Sequence, residues 1–390
     1  MESFIDEYGN THYTDGQIGS DAEGVLYRTK GEGVLVCDAG AKAEYRQKYM
    51  DARLLPLESV ENIIMPSVYL KEPSVGYVML TPKDFSPLSE IMNTAHNKQE
   101  FYAKTGGLKR RVLLMAELAK TLHILHSLPC MYGSLSPFRL FITNDHDKSE
   151  LLLLYSQNMT ATMPFSSDAE ADGYSAPESK KGMATILSDV YSFGKLAYDL
   201  ITLEGNLGDI IDNTAHLADI LALAVSDDPY KRPLMPDIYK NLLQLRDLLV
   251  SCQECRHDFV YVDRSCPFCK KRLPKILKAK IYDKVENREI NRGHKVFELT
   301  PGVQQCFWNY HTDHVLFKDL VEPRIGCMAG LTTSKKLRFV IKNLMQKSIN
   351  VNEKVLTPGQ TDAIPLPGES INISFPLHAK IFRHIEMVIE

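Results

Sequence analysis

The sequence predicts an α+β protein of several domains, and three features of its 390 residues support that fold class. Short apolar runs punctuated by glycine, which are typical of strands, fill residues 15–85 and return across residues 277–390. Between these regions, residues 108–250 carry apolar side chains at steps of three and four, the period of half-buried helices. Four clustered cysteines separate the helical region from the second β-rich region. The length alone allows two or three domains.

The composition is that of an ordinary soluble globular protein. The chain has 45 Lys and Arg against 49 Asp and Glu, a net charge of −4, and 44% of its residues are apolar. This near balance argues against a polybasic nucleic-acid binder and against an acidic disordered tail. Apolar runs such as residues 151–155 fall far short of the ~20 residues that cross a bilayer, and the acidic N-terminus lacks a secretory pattern. We therefore expect a cytoplasmic protein with neither membrane nor nucleic-acid partners.

The first β-rich region contains a glycine-bearing turn between two apolar strands, at residues 18–27. Gly19 and Gly24 flank this turn, and Leu26 follows it. A phosphate-binding loop and an ordinary hairpin both fit this pattern when it is taken alone. Arg28 shares a strand face with Leu26, so it either reaches bound phosphates or lies on a solvated face.

Two helices are predicted in the middle of the chain. Residues 108–128 place apolar side chains on one stripe, which predicts a half-buried helix. Residues 188–204 are apolar almost all round, so the helix there should lie at the centre of its domain.

Four motifs follow the glycine-bearing turn in a fixed order: residues 132–142 (YGSLSPFRLFI), 174–178 (YSAPE), 188–194 (SDVYSFG) and 228–233 (DPYKRP). This succession resembles the protein kinase fold, especially the short bacterial Ser/Thr-kinase-like form whose catalytic loop reads H-G-D-L-S-P-x-N. The resemblance covers residues 15–250. It implies a bilobal architecture in which an extension (residues 1–14) precedes an N-lobe (15–85) and a C-lobe (86–250).

The resemblance implies that the structural positions of the kinase fold are retained. Glu178 stands at the A-P-E glutamate, and Arg232 stands at the arginine with which that glutamate pairs. Asp189 stands at the aspartate that accepts hydrogen bonds from the catalytic-loop backbone. Breaking a buried ion pair costs about 3–5 kcal/mol, so a chain that must fold retains it whatever its chemistry.

The positions that carry phosphoryl transfer have been replaced. Cys37 stands at the strand lysine, Ser134 at the catalytic aspartate and Arg139 at the metal-binding asparagine. The D-F-G aspartate position holds Tyr155 or Ser156, so it offers no carboxylate. Serine is not a base at neutral pH, cysteine supplies no fixed positive charge, and Arg139 puts a permanent cation where magnesium would bind.

No other residue restores the missing chemistry. The loop glycine that with-no-lysine kinases replace by lysine is still Gly24, and its middle glycine is Asp21, whose carboxylate repels phosphate. Asp145 and Asp147 fall in a turn, and Glu44 at the helix-C position has no lysine to pair with. The resemblance therefore implies a pseudokinase in which ATP binding is weak or absent.

The cysteine pattern predicts a metal site. Two C-x-x-C pairs in a reducing compartment favour metal binding over disulfides, and four thiolates suit tetrahedral zinc. Iron or redox chemistry and unliganded thiols are the alternatives. The spacing is similar to a zinc ribbon over residues 251–276, with a small hairpin expected around residues 259–262. The basic residues of the following run either form a binding surface or lie in a solvated linker. The ligands of the closed structural zinc site are Cys252, Cys255, Cys266 and Cys269.

Residues 277–390 predict a separate all-β domain. Residues 337–375 are similar to the second half of a forkhead-associated β-sandwich, and an immunoglobulin-like or other small β-sandwich is equally allowed. Residues 324–326 and 334–336 match its phosphothreonine-reading motifs poorly, because the gap between them is short and Leu337 replaces the usual histidine. Trp308 is expected in the core.

Two classes of function follow from these observations. The first is a non-catalytic scaffold that presents surfaces to protein partners in a signalling or stress-response assembly. The second is an enzyme, either a divergent ATP-dependent kinase or a nucleotidyl transferase, which the missing metal-binding carboxylates disfavour. Nucleic-acid binding through the ribbon is a weaker third reading, since the net charge is −4.

Overall fold

The computed structural model divides the chain into two compact units, Met1–Leu242 and Leu243–Glu390. The unit boundary falls inside a helix, Met235–Leu248. The structure describes residues 2–21, 23–40, 45–52, 54–57, 60–161, 173–202, 215–315, 323–333, 338–365, 370–378 and 380–389. The chain contains both helices and several β-sheets, and this mixed content agrees with the predicted α+β class.

The described part of the first unit contains ten strands in two sheets. They are β1 (Ser3–Ile5), β2 (Thr11–Asp21), β3 (Gly24–Thr29), β4 (Val34–Asp38), β5 (Ile63–Ile64), β6 (Val68–Tyr69), β7 (Gly76–Leu80), β8 (Phe85–Pro87), β9 (Leu140–Thr143) and β10 (Leu151–Leu154). The first sheet is antiparallel, with the order β1-β2-β3-β4-β7-β6. The second has the order β5-β10-β9-β8, with β5 and β10 parallel.

The first sheet closes on itself through its N-terminal strand. The backbone N–H of Lys71 donates to the carbonyl of Ile5 at 2.8 Å, and that of Glu7 donates to the carbonyl of Tyr69 at 2.8 Å. These bonds join β1 to the chain at β6, so both edge strands are paired. Residues 1–14, expected as an extension, therefore supply β1 and the start of β2, and Phe4 packs in the core of this sheet.

The helices of the first unit follow the apolar periodicity of the sequence. The helix predicted over residues 108–128 is α4, and its buried stripe includes Val112, Met115 and Leu118. The second predicted helix is α5, whose Phe193 and Leu196 are fully buried, and it packs against α4 and α6. The helices are α1 (Tyr45–Ala52), α2 (Leu88–Met92), α3 (Lys98–Thr105), α4 (Leu108–Ser127), α5 (Ile186–Thr202), α6 (Ala215–Ala224) and α7 (Met235–Leu248), which runs past the unit boundary.

The second unit consists of a cysteine-bearing segment followed by two packed sheets. Its elements are β11 (Leu249–Ser251), β12 (Asp258–Val260), β13 (Ile276–Val285), β14 (Arg288–Glu298), β15 (Gln304–Trp308), α8 (Asn309–Thr312), β16 (Ile325–Leu331), β17 (Arg338–Asn343), β18 (Ile349–Val351), β19 (Lys354–Leu356), β20 (Thr361–Pro365), β21 (Ile371–His378) and β22 (Ile381–Ile389). Strand β12 pairs with β11, which precedes the first cysteine, so the expected hairpin around residues 259–262 instead spans the first C-x-x-C pair.

The two sheets of the second unit share one apolar core. Their strand orders are β14-β13-β22-β21-β18-β19 and β15-β16-β17-β20. Ile281 and Ile373 of the first sheet join Phe307 and Phe339 of the second in one buried cluster, the arrangement of a two-layer β-structure. Residues 334–337, which carry the second phosphothreonine-reading motif and Leu337, lie outside the described residues.

Buried ion pairs fix the short helix α8 in the second unit. Asp247 accepts hydrogen bonds from Lys295 at 2.9 Å and from His311 Nε2 at 2.7 Å. The Nδ1 atom of His311 accepts the backbone N–H of Trp308, so both ring nitrogens are occupied and the imidazole is neutral. Trp308 is half-buried. This cluster explains why residues after Leu242 group with the β-structure.

None of the helices within the described ranges has both the length and the apolar character needed to span a membrane.

Candidate functional sites: an ion-pair cluster and a four-cysteine centre

The first unit brings together most of the residues at the expected catalytic positions. Cys37 lies on β4, and Ser134 lies in the loop after α4. Arg139 ends a 3-10 turn that begins with Pro137, whose fixed φ suits the first position of such a turn. Tyr155 and Ser156 directly follow β10. Elements distant in sequence therefore converge on Arg139.

The guanidinium of Arg139 is fully buried, and each of its three nitrogen atoms donates at least one hydrogen bond. Nε and Nη2 donate to the two carboxylate oxygens of Asp21 at 2.8 and 2.9 Å, and Nη2 also lies 3.1 Å from Glu23 Oε2. Nη1 lies 3.1 Å from both the Tyr77 hydroxyl and the Tyr155 carbonyl. We call Arg139, Asp21 and Glu23 the arginine cluster.

Glu23 is buried and held by more than its ion pair. Its Oε1 accepts hydrogen bonds from the Ser156 hydroxyl at 2.5 Å and from Asn158 Nδ2 at 3.2 Å. Its Oε2 accepts the backbone N–H of Gln157 at 2.9 Å. Burial raises the pKa of Glu23 above its usual range, while the positive charge of Arg139 acts in the opposite direction. Ser156, one of the two residues at the expected D-F-G position, thus donates a hydrogen bond to Glu23, a carboxylate of the glycine-bearing turn.

The two glycines of the turn are required by close backbone packing. A Cβ on Gly19 would lie 2.7 Å from the ring of Phe138, which places the turn directly against the 3-10 turn that carries Arg139. Gly24 has φ +150°, and its Cβ would lie 2.3 Å from the carbonyl oxygen of Asp38. Both glycines therefore have a structural reason that involves no phosphate.

The remaining expected nucleotide contacts lie apart from the arginine cluster or are buried as core. Leu26 is fully buried. Arg28 lies at the surface, where its Nη2 is 3.0 Å from Glu90 Oε1. Cys37 is buried, and this burial raises the pKa of its thiol to about 11, so the thiol is neutral. Ser134 accepts a hydrogen bond from Asn158 Nδ2 at 2.6 Å.

The arginine cluster does not fit a magnesium–nucleotide complex. Asp21 and Glu23 already hold a cation, and their charges would repel the phosphates of a nucleotide. Within the described residues, the four cysteines are the one group of His, Cys, Asp and Glu side chains that gathers in the manner of a metal site. Glu44, the expected helix-C glutamate, lies outside the described residues, and Asp145 and Asp147 lie in the exposed turn between β9 and β10.

Sequence reasoning missed Glu23 and Tyr77. The available signal was Arg139 itself, because a buried guanidinium needs acidic partners, and Glu23 directly precedes a loop glycine. Spacing alone does not reveal a contact between residues more than 100 positions apart.

Glu178 and Arg232 form a buried bidentate pair in the same unit. Arg232 Nη1 and Nη2 donate to the two carboxylate oxygens of Glu178 at 2.6 and 2.9 Å. The hydroxyl of Ser188 also donates to Glu178 at 2.6 Å. Burial opposes ionisation, but these hydrogen bonds outweigh it and lower the pKa of Glu178. This bidentate geometry is typical of an ion pair that holds two segments of the chain together.

Asp189 binds the backbone of the loop that contains Ser134. Its two carboxylate oxygens accept the backbone N–H groups of Tyr132 and Gly133, each at 2.8 Å. His126 Nε2 lies 3.0 Å from Asp189 Oδ2. Helix α5 therefore fixes the conformation of this loop through one buried side chain.

The four expected metal ligands meet in the second unit. Their sulfur atoms all lie within 4.8 Å of one another. The Sγ atoms of Cys252 and Cys269 are 3.6 Å apart, as are those of Cys255 and Cys266, so no disulfide joins them. Zn–S bonds of about 2.3 Å in tetrahedral geometry require sulfur atoms about 3.8 Å apart. The donor set and its spacing fit zinc.

The two C-x-x-C pairs have the same local structure. The backbone N–H of Arg256 donates to the carbonyl of Cys252 at 2.8 Å, and that of Lys270 donates to the carbonyl of Cys266 at 2.9 Å. Arg256 and Lys270 both have φ 60°. Each pair is thus a tight knuckle that turns two sulfur atoms toward a common centre. We call residues 251–276 the cysteine module.

Comparison with known proteins gives one distant similarity. No family model matches the chain. Protein STRUBBELIG-RECEPTOR FAMILY 3 of Arabidopsis thaliana is 24% identical over 293 residues, which covers 62% of this chain and 37% of that protein. The chain therefore spans little more than a third of the length of this relative.

Proposed function

We propose that residues 15–250 form a bilobal, protein-kinase-like fold that has lost phosphoryl transfer and acts as a scaffold for protein partners. The motif order, the Glu178–Arg232 pair and the distant similarity to a kinase-family protein support the kinase-like relation. The observation that carries the loss of activity is the arginine cluster, in which Arg139 replaces the metal and holds Asp21 and Glu23.

The free energies favour this conclusion. To admit phosphates and magnesium, the site must break the bonds of a buried arginine and leave charges unpaired, at about 3–5 kcal/mol. A nucleotide with a Kd between 1 mM and 1 µM binds with only about 4–8 kcal/mol. The cost therefore weakens nucleotide binding by a factor of about 10² to 10⁴, and chemistry would still lack a base and a metal ligand.

We further propose that the cysteine module is a ribbon with a structural zinc ion, bound by Cys252, Cys255, Cys266 and Cys269. Four thiolates close the tetrahedron, which leaves no position for a substrate, so the ion would stabilise the fold and perform no reaction. The two-layer β-structure after it would be a further surface for partners, and its resemblance to a forkhead-associated sandwich belongs to this proposal.

The test of the cleft uses the full-length protein with ATP labelled at either the γ or the α phosphate. We expect no label on the protein or on added protein substrates with magnesium or manganese. Transfer of the γ label that Arg28→Ala abolishes would establish a divergent kinase instead. Transfer of the α label would establish a nucleotidyl transferase.

A matched pair of variants separates the protein from contaminants. Ser134→Ala removes the residue at the expected catalytic position, and Ser86→Ala removes a serine that binds Asn144 outside the arginine cluster. Any genuine activity of the cleft should be lost in the first variant and retained in the second. A scaffold role also predicts that partners captured from the native host bind equally with and without ATP, and partner binding that requires ATP would contradict it.

A further inference from the structure

The cysteine module carries a net positive charge, whereas the whole chain carries a net negative charge. The module, residues 251–276, contains six Lys and Arg against three Asp and Glu, a net of +3 in a chain whose net charge is −4. Four thiolates around a divalent metal add about −2, so the segment stays positive when it is loaded. The whole-chain balance, which argued against nucleic acids, therefore conceals a local excess of positive charge.

The exposed cations gather on the second knuckle, next to an exposed aromatic ring. Phe268 lies between two of the cysteines and remains 50% exposed. One face of its ring stacks on His257, with the centroids 4.6 Å apart. Lys270, Lys271 and Arg272 follow directly, are all exposed, and form no ion pair with any residue that the structure describes. We call Phe268 and these three cations the knuckle surface.

We propose that the knuckle surface binds single-stranded nucleic acid, a role separate from the proposed scaffold function of the first unit. Consecutive Lys and Arg side chains match the phosphate backbone. The Phe268 ring, which stacks on His257 and makes a T-shaped contact with Phe259, offers its exposed part to a base. A single strand fits better than a duplex, because only unpaired bases expose a face for stacking. An acidic polypeptide satisfies the cations but makes no use of the exposed Phe268 ring.

The experiment measures binding of the full-length, metal-loaded protein to a fluorescent 20-nucleotide oligo(U) by anisotropy, from 50 to 300 mM KCl. We expect binding that weakens linearly in log affinity against log salt. The triple variant Lys270→Ala, Lys271→Ala, Arg272→Ala should lower that slope by about 2, since each phosphate contact contributes about 0.7. Phe268→Ala should weaken binding about tenfold without changing the slope.

Matched controls keep the result specific. Lys180→Ala with Lys181→Ala removes two exposed cations from the first unit, and Val262→Ala trims another exposed apolar side chain of the module, so neither should change binding. Metal content and melting temperature of each variant exclude unfolding.

Four results would overturn the proposal. The first is no binding at 50 mM KCl. The second is an equal loss of binding in the Lys180/Lys181 control. The third is displacement by polyglutamate as effective as by unlabelled oligo(U), together with an inert Phe268→Ala, which would assign the surface to an acidic protein. Equal affinity for duplex DNA would reject the single-strand reading.

Discussion

The arginine cluster of the first unit and the four-cysteine centre of the second differ in where their positive charge comes from. In the first, Arg139 supplies the cation covalently, and the buried guanidinium binds the buried Glu23 and the partly buried Asp21. In the second, four sulfur atoms within 4.8 Å of one another are all of one kind, and the cation that suits them is a metal ion. A cluster that contains both charges is complete as folded, whereas a cluster of like ligands depends on an ion from solution.

The two sites contain similar numbers of polar groups, yet we expect them to respond in opposite ways to an added ligand. Every guanidinium nitrogen of Arg139 already donates a hydrogen bond, so a bound nucleotide would gain few contacts and would break several. The thiols gain their main stabilisation only when a metal binds, because the cluster consists of four like ligands and contains no cation of its own. The predictions below test this difference, from the largest expected effect to the smallest.

Removing one thiol should have the largest effect. We expect the purified protein to contain one zinc per chain and Cys266→Ser to lose it, because structural zinc contributes about 10–16 kcal/mol to folding. Elemental analysis with protease sensitivity of the second unit measures both results. Cys306→Ser, which changes a cysteine outside the cluster, should keep the metal. Iron, or protein free of metal after purification without chelators, would contradict the zinc assignment.

Removing the internal cation should destabilise the first unit without involving any metal. Arg139→Met leaves the buried Glu23 and the partly buried Asp21 without their cation, which should lower the free energy of unfolding by about 3–5 kcal/mol. Burial already raises the pKa of Glu23, so the native state binds its proton more readily than the unfolded state does. The variant should therefore regain stability as the pH falls from 7.5 toward 5.

A double-mutant cycle isolates this effect in urea denaturation. Glu23→Gln combined with Arg139→Met should be more stable than Arg139→Met alone, because one unpaired charge is gone. Additive losses in the double variant would show that Arg139 and Glu23 do not interact.

Breaking the Glu178–Arg232 ion pair should lower the free energy of unfolding by a similar or smaller amount. Arg232→Ala should lower the free energy of unfolding by about 3 kcal/mol, because Glu178 keeps its hydrogen bond from Ser188. The pKa of Glu178 is lowered in the native state. The ion pair therefore stabilises the fold at pH values above the usual glutamate pKa, and this stabilisation is lost as the pH falls through the pKa of the folded state. The exposed neighbour change Lys231→Ala should have little effect. A thermal melt of Arg232→Ala within about a degree of the wild type would refute the assignment.

Adding nucleotide should have the smallest effect. Since the arginine cluster fills the site, 1 mM ATP with magnesium should shift the melting temperature by less than about 1 °C. The same measurement with zinc added to metal-stripped protein should give a much larger shift. A nucleotide-dependent rise of several degrees would mean that the arginine cluster opens on binding.

The sequence predicted the parts that depend on local spacing. The two C-x-x-C pairs define four ligands within eighteen residues, and the apolar stripe of residues 108–128 defines α4. That Arg139 offers no metal ligand was also readable from the sequence, because a cation does not bind a cation. The cysteines and the apolar stripe were predictable because their residues are close together in the chain. Arg139 was predictable because its positive charge excludes metal binding.

Two observations that bear on function arose only from the folded chain. Residues 1–14 were expected as an extension, yet β1 bonds to both neighbours and closes the first sheet. Arg28 was a candidate phosphate ligand, and it pairs at the surface with Glu90 on α2. Both results depend on which segments pack together, and a single sequence carries no direct signal of such contacts.

What the sequence by itself determined is thus the α+β class and the grouping of four cysteines that could bind a metal ion, together with the prediction that the residues of phosphoryl transfer are missing. What only the tertiary structure decided is which partners the residues at these predicted positions bind. Asp21 and Arg139 are 118 residues apart, and Ser156 reaches back 133 residues to Glu23. A buried guanidinium must find carboxylates, but only the approach of β2, the 3-10 turn and the end of β10 determines which ones.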